Sequence, residues 1–130
     1  AEELKAARAI FESVGLVETM PSSLMDAVTG VSGSGPAYAF MFIEAMADAA
    51  VLNGLPRDKA YRFAAMTVLG SAAAVLETGV HPAELKDRVC SPGGTTIEAV
   101  YALECGGMRA AVIDAVNAAV EKTGALRKKS

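Results

Sequence analysis

Two long alanine-rich segments, residues 36–53 and 57–78, constrain the fold of this chain more than any other feature. In the first segment apolar residues occupy nearly the whole circumference of a helix, and only Glu44 and Asp48, four positions apart, form a polar stripe. The connection between the two segments, "NGLP", is short. Gly54 can take positive φ and end the first helix, and Pro56 can begin the second. We therefore predict an antiparallel helical hairpin whose first helix is buried on most sides.

The composition of the chain favours helices packed on helices. Of the 130 residues, 52% are hydrophobic and 21% charged, which excludes disorder and predicts one domain with a packed core. Aromatic residues make up only 5% and tryptophan is absent, so small side chains must let the helices approach closely. The hairpin carries more apolar surface than a monomer of this size hides. Homodimerisation through the hairpin is the economical solution, and a monomeric bundle with the hairpin in its middle is the alternative.

Charge and cysteine content exclude several classes of function. The net charge of −3 offers no basic surface for nucleic acid. Cys90 and Cys105 form neither a CxxC pair nor a cluster with histidine at metal-ligand spacing, so we expect reduced thiols, no metal and a cytoplasmic protein. The most apolar segment, residues 36–52, is short for a bilayer and carries two carboxylates, which argues against a membrane span.

The start of the chain differs from the remainder in its pattern. Residues 2–14 have the apolar face of a helix, and Gly15 stands where a left-handed C-cap belongs. The next five residues, "LVETM", predict a short strand closed by Pro21. Because a lone strand has no partner in a helical domain, we interpret residues 1–20 as the last helix and strand of another domain. The helical domain then covers residues 21–130.

A glycine-rich segment, "GVSGSGPAY", follows a short piece that Ser22 or Ser23 can cap. Its glycines invite a dinucleotide-binding interpretation, but they do not follow a strand inside a βαβ unit, and no acidic residue in a second strand follows at the distance a ribose needs. We favour a tight turn that presents backbone and Ser32 or Ser34 to another subunit or domain. Ser34 as cap and Pro36 in the first turn then start the long helix.

Three other candidate sites have simpler explanations. His81, the single histidine, lies in "GVHPAEL", which indicates a turn and a helix start. Glu44 and Asp48 could pair as acid and base, but a polar stripe on an apolar helix also serves register and solubility. Cys90 has no base assigned to it, and an isolated cysteine is usually a small apolar residue.

The segment "VCSPGGTTIEAV", residues 89–100, combines several features of an anion site. A proline and two glycines at 92–94 make a turn and remove side chains, so the N–H groups of residues 94–96 can point outward at a helix start. Those donors and the positive end of the helix dipole suit a carboxylate or phosphate. The alternative is an ordinary capped turn with Thr95 as cap and Glu98 three residues on. The pattern alone leaves both open.

Three blocks of the sequence resemble the pyrroline-5-carboxylate reductase family: "LMDAVTGVSGSGPAYAF", "ADAAVLNGLPRDKA" and "HPAELKDRVCSPGGTTIEAVYALE". They occur in the family's order and spacing between residues 24 and 108. In that family an N-terminal Rossmann domain binds NADPH or NADH, and a C-terminal helical domain dimerises by interleaving its long helices. The resemblance implies an all-α helical bundle interleaved in a homodimer, preceded by a residual helix and strand of a truncated Rossmann domain.

The resemblance also implies a reaction and a site. The family reduces 1-pyrroline-5-carboxylate to L-proline with NADPH or NADH, in the cytoplasm, as a homodimer or a ring of dimers. The dinucleotide fingerprint is missing here, so the chain alone should be inactive. By resemblance Thr96 is the catalytic residue, its hydroxyl contacting the ring nitrogen, and the position of Thr95 also accepts alanine. Arg88 has no assigned role. The substrate carboxylate is implied to bind at Ser91, Gly93, Gly94, Thr95 and Thr96.

Two alternatives stay open, and the first belongs to another class of protein. One is a stand-alone helical interaction module whose SPGG loop merely caps a helix, which would not need the helix and strand at the start. The other is a related reductase of another imine or of a β-hydroxyacid, which should lack the SPGGTT run.

Overall fold

A computed structural model describes residues 2–128 of the chain. Within that range the chain is helical and contains no strand, which confirms the all-α prediction. A 3₁₀ turn, Ser22–Leu24, precedes α2, and a π-helical turn, Thr29–Gly33, follows it. The α-helices are α1 (Glu2–Glu12), α2 (Met25–Val28), α3 (Gly35–Leu52), α4 (Arg57–Thr78), α5 (Pro82–Val89), α6 (Thr95–Cys105) and α7 (Met108–Arg127).

The first twenty residues depart from the prediction. Helix α1 ends two residues early, and Gly15 is not among the glycines with positive φ, so the predicted left-handed cap is wrong. Residues 16–20 are irregular, so the predicted strand is also wrong for this part of the chain. A strand needs a neighbour to satisfy its N–H and C=O groups, and no strand exists within residues 2–128 to provide one.

Helices α3 and α4 form the predicted hairpin. Helix α4 has the predicted bounds and α3 is shifted by one residue. Gly54, with φ of 92°, lies in the connection, and Gly79, with φ of 64°, ends α4. Arg57 pairs with Asp48 across the connection and lies 5.7 Å from the ring centroid of Tyr61. The helices touch through small side chains, and the buried hydrophobic residues of the described chain are Ala47, Ala60 and Ala64.

The glycine-rich segment is helical instead of forming the predicted tight turn. Its π-helical turn continues α2 toward α3, and the N–H of Ser34 donates to the carbonyl of Thr29 at 3.0 Å. Gly30 is buried, and a Cβ there would lie 2.6 Å from Cγ2 of Val120 in α7. The segment is therefore shaped by close packing against a helix some ninety residues later in the chain.

The serines of this region bear out the predicted caps only in part. The hydroxyl of Ser32 donates back to the carbonyl of Val28 at 2.8 Å. Ser34 is the N-cap residue of α3, as predicted, but its side chain makes no cap bond. Neither Ser22 nor Ser23 is the cap of the 3₁₀ turn or of α2. The proline in the first turn of α3 is where the sequence predicts it.

Helix α7 holds the two ends of the domain together. It packs against α2 and the π-helical turn. The hydroxyl of Tyr38 donates to the carbonyl of Ala115 at 3.3 Å. Arg127 pairs with Asp26 at 2.9 Å, and Asp26 is mostly shielded from solvent.

A single chain leaves most of its apolar surface uncovered. It exposes 10194 Å² of accessible surface, whereas a compact monomer of this mass exposes about 6,500 Å². Among the described residues of α3, only Ala47 is buried, so the prediction of a helix buried on most sides is wrong for one chain alone. The physical reason is that no element within residues 2–128 covers most of the hairpin. The helical run Ser22–Leu52 is also long and apolar enough to cross a membrane, by length and composition only.

Candidate functional site

Helix α5 leads directly into the candidate loop. It begins with Pro82, and the N–H of Ala83 donates to Nδ1 of His81 at 3.2 Å. His81 is therefore the cap of a helix start, as its sequence context indicates. Only a neutral ring with its proton on Nε2 can accept a hydrogen bond at Nδ1.

The charged side chains of α5 pair with one another. Arg88 donates to Glu84 at 2.7 Å, and Lys86 contacts Asp87 at 2.7 Å. The hydrogen bond that Lys86 donates to Asp87, together with the charge of that carboxylate, raises the pKa of Lys86 above its usual value, so the ammonium stays charged through the physiological range. These pairs lie at the surface, where each contributes little to stability.

The loop between α5 and α6 is a closed turn. The N–H of Cys90 donates to the carbonyl of Asp87 at 3.0 Å and ends α5, and the N–H of Gly94 donates to the carbonyl of Ser91 at 3.0 Å. Gly93 has φ of 66°, a left-handed conformation that favours glycine. A Cβ on Gly94 would lie 2.4 Å from Oγ of Ser91. The serine hydroxyl thus lies against the backbone just before α6.

The start of α6 offers free donors, but not the set that the sequence predicts. Gly94 precedes the helix and Thr95 is its first residue, so the alternative of a capping box formed by Thr95 and Glu98 is wrong. The N–H of Gly94 is used in the turn. In an α-helix that begins here, the N–H groups of residues 95–97 have no partner within the helix. The dipole of this eleven-residue helix adds positive potential at the same place.

The five predicted site residues lie together on one turn. Ser91, Gly93 and Thr95 are exposed, and Gly94 and Thr96 are half-buried. Sequence reasoning missed a sixth contributor, the N–H of residue 97, because it placed the cap one residue too late. Gly94 could have indicated the correct start of the helix, since glycine is a common N-cap residue. The arrangement can bind a small anion through backbone donors, with hydroxyls beside it.

The surroundings of the loop contain neither a metal site nor a closed pocket. Across residues 2–128, no three histidine, cysteine or carboxylate side chains come together as possible metal ligands, and both cysteines are free thiols. A groove of about 450 Å³ lies between α4 and α5 and is lined largely by apolar side chains: Ala74, Val75, Pro82, Leu85 and Val89. It does not include the loop, which stays open to solvent on one chain.

The described residues do not fit a dinucleotide cofactor. The glycines between 30 and 35 lie in the π-helical turn and at the start of α3, and no strand precedes them. Their backbone donors are committed to helix hydrogen bonds, as the bond from Ser34 to Thr29 illustrates. A nicotinamide cofactor would need residues outside the described part of the chain.

The comparison with known families decides the identity of this fold. Residues 22–126 match the family described as pyrroline-5-carboxylate reductase dimerisation. The chain belongs to this family. The match covers α2 to α7 and the whole loop between α5 and α6, and it begins next to the boundary that the sequence predicts at Pro21.

Curated relatives carry the same enzyme name. The pyrroline-5-carboxylate reductase of Escherichia coli K12 is 61% identical over 119 residues, covering 92% of this chain and 44% of the relative. The pyrroline-5-carboxylate reductase of Methanosarcina acetivorans is 58% identical over 128 residues, covering 98% and 47%. The chain therefore spans about half the length of the relatives that it matches.

Solved structures share the fold. The Coxiella burnetii pyrroline-5-carboxylate reductase has a TM-score of 0.90 at 38% identity, covering 96% of this chain and 47% of that one. The Plasmodium falciparum pyrroline carboxylate reductase, solved with NADP bound, has a TM-score of 0.88 at 38% identity, covering 96% and 50%.

Proposed function

We propose that this chain is the dimerisation and substrate-binding part of an enzyme that reduces 1-pyrroline-5-carboxylate to L-proline with NADPH or NADH. The observation that carries the proposal is the turn before α6, where free N–H donors, two glycines and a serine hydroxyl converge. The names of the relatives support the reaction. The NADP in the Plasmodium structure supports a nicotinamide cofactor, and the preference between NADPH and NADH stays open.

The loop is proposed to hold the substrate by its carboxylate. The N–H groups of Thr95 and Thr96 donate to the carboxylate oxygens, and the hydroxyl of Ser91 adds a third donor. Gly93 and Gly94 leave the backbone bare, so the anion can approach. Binding of an anion at a helix start needs no cationic side chain, because the dipole and the free donors suffice.

Thr96 is proposed to assist the reaction itself. Its half-buried side chain stands beside the carboxylate donors, one residue into α6. From there its hydroxyl would donate to the ring nitrogen of the substrate, where electron density grows as the C=N bond is reduced. A donor placed at the site of developing charge lowers the barrier without rearranging. Positioning of the substrate by the loop supplies the remainder of this chain's contribution.

We propose that residues 1–20 belong to a neighbouring dinucleotide-binding domain and that residues 21–130 form the helical domain. The apolar face of α1 supports this division, because its large side chains, Leu4, Ile10 and Phe11, all face solvent in the described chain. Such a stripe is typical of a helix that packs on a sheet or another helix.

The hairpin is proposed to be the homodimer interface. The chain exposes about 3,700 Å² more surface than a compact monomer of its mass, which exceeds the roughly 800 Å² per partner of a standard interface and suits an obligate one. A second copy would also cover the apolar run Ser22–Leu52, which then needs no membrane. A ring of dimers and a cytoplasmic location stay predictions.

Turnover assays test the proposed function. The 130-residue chain and the longer protein that contains it are each given 1-pyrroline-5-carboxylate and NADPH or NADH, and nucleotide oxidation is followed. We expect L-proline from the longer protein and no turnover from the chain alone. Absence of turnover by the longer protein would contradict the proposed reaction. Turnover by the chain alone would contradict the proposal that the cofactor binds to residues outside this chain.

A further inference from the structure

The cap of α5 depends on the protonation state of a single ring. Nδ1 of His81 accepts the N–H of Ala83, one of the donors at the helix start that has no partner within the helix. Only a neutral imidazole has an acceptor nitrogen. Helix α5 has eight residues, so a cap supports a large share of it.

Protonation would reverse the role of His81 in two ways. Nδ1 would become a donor facing another donor, and the new positive charge would lie at the positive end of the helix dipole. Both effects weaken the first turn of α5. Imidazole is the side chain that changes charge between about pH 5 and 8, and the chain has one histidine.

The neighbouring charges do not offset this change. On α5, Glu84 is held by Arg88 and Asp87 by Lys86. On α4, the residues that face α5 across the groove are uncharged, namely Ser71, Ala74 and Val75. Glu77 lies in the last turn of α4, and Arg109 of α7 is close enough to α5 to interact electrostatically with Lys86. The range of pH 5.5 to 7.5 lies above the ordinary pKa of a carboxyl group, about 4, and includes the ordinary pKa of imidazole, about 6.5.

We propose that His81 makes α5 a pH-sensitive support for the loop that follows it. Helix α5 ends at Val89, and the N–H of Cys90 bonds back to Asp87 before the turn at Ser91 begins. Loosening of α5 at low pH therefore releases the segment that holds Ser91 against Gly94. The effect on ligand affinity rests on the proposed function, whereas the effect on α5 does not.

Amide hydrogen exchange measured by NMR on the 130-residue chain tests the switch. Protection factors of the α5 amides are compared at pH 7.5 and 5.5 in the wild type, His81→Asn and His81→Ala. Asparagine caps a helix without titrating, and alanine does not cap. We expect protection to fall about five- to tenfold in the wild type at pH 5.5, to stay constant in His81→Asn, and to be low at both values in His81→Ala. An equal fall in His81→Asn would overturn the proposal.

Affinity for L-proline, measured by NMR on the same three proteins, tests the link to the site. We expect binding to weaken at pH 5.5 in the wild type and to be unchanged in His81→Asn. If α5 loosens while the affinity stays constant, the link to the loop is wrong. If proline fails to bind at either pH while α5 still loosens, the proposed function fails and the switch stands.

Discussion

At the scale of single residues, the turn before α6 depends on two glycines for different reasons. Gly93 has a left-handed backbone that favours glycine, whereas Gly94 must lack a Cβ because the hydroxyl of Ser91 occupies that space. The sequence "SPGGTT" predicts a turn from composition, but only the structure shows that the serine hydroxyl lies where a Cβ on Gly94 would be. The free donors also shift by one residue, because Gly94 uses its own N–H to close the turn.

Replacement of Gly94 by alanine should weaken anion binding. The new Cβ would lie 2.4 Å from Oγ and 3.1 Å from the carbonyl oxygen of Ser91, so the turn must open. Overpacking of this kind costs about 1–3 kcal/mol, and we expect roughly tenfold weaker binding of L-proline by calorimetry. Gly106→Ala is the matched control, because its Cβ would meet nothing closer than 3.4 Å. Equal affinities of the two variants would contradict this geometry.

Replacement of Thr96 by valine should impair catalysis in the full-length enzyme. Valine keeps the shape and removes the hydroxyl, and we expect kcat/KM to fall about ten- to a hundredfold, or roughly 1.4–2.7 kcal/mol of transition-state stabilisation. Thr95→Val is the control, because that side chain is exposed and only its N–H is assigned a role. A wild-type rate for Thr96→Val in steady-state kinetics would remove Thr96 from the mechanism.

At the scale of helices, local signals predict the hairpin well and the segments around it poorly. The C-terminal ends of α3 and α4 follow from Gly54 and Gly79, because glycine readily takes the positive φ that ends a helix. The π-helical turn is different, because it depends on Gly30 meeting α7 far along the chain. The strand at 16–20 fails for a related reason, since a strand forms only beside another strand. Signals within a few residues are readable from sequence, and contacts between distant segments are not.

Replacement of Gly30 by alanine should destabilise the packing of α7. A Cβ there would lie 2.6 Å from Cγ2 of Val120 and 3.3 Å from the carbonyl oxygen of Val116. We expect a loss of about 1–3 kcal/mol in the free energy of unfolding by urea. Gly35→Ala, in the same segment, meets no atom within 4 Å and should be neutral or slightly stabilising. Similar unfolding curves for both variants would argue against the close approach at Gly30.

At the scale of the whole molecule, one chain does not contain enough buried surface for independent stability. Its buried hydrophobic residues in the described range are three alanines, and large apolar side chains of the hairpin are exposed, Leu76 to 76% and Leu52 to 87%. The sequence predicts the excess of apolar surface, but not which residues cover it, because in the proposed dimer the covering residues belong to a second copy. Folding and association are then coupled.

Disruption of the hairpin face should dissociate the dimer. We expect the wild-type chain to sediment as a dimer with a melting temperature that rises with protein concentration. Leu69→Glu, at an exposed apolar position of α4, should shift the chain toward monomer and lower its melting temperature. Leu4→Glu is the control, because it places the same charge on α1, outside the hairpin. A stable wild-type monomer in sedimentation velocity would contradict the interface.

The most direct test of the assigned site is an NMR titration of the 130-residue chain with L-proline. We expect the amide signals of residues 95–97 to shift most, because the free N–H groups at this helix start are the donors available to the carboxylate. We expect prolinamide to cause no such shift, because it has no carboxylate. Shifts that are equal for the two ligands, or that spare the start of α6, would contradict the central claim that this turn binds the carboxylate of the substrate.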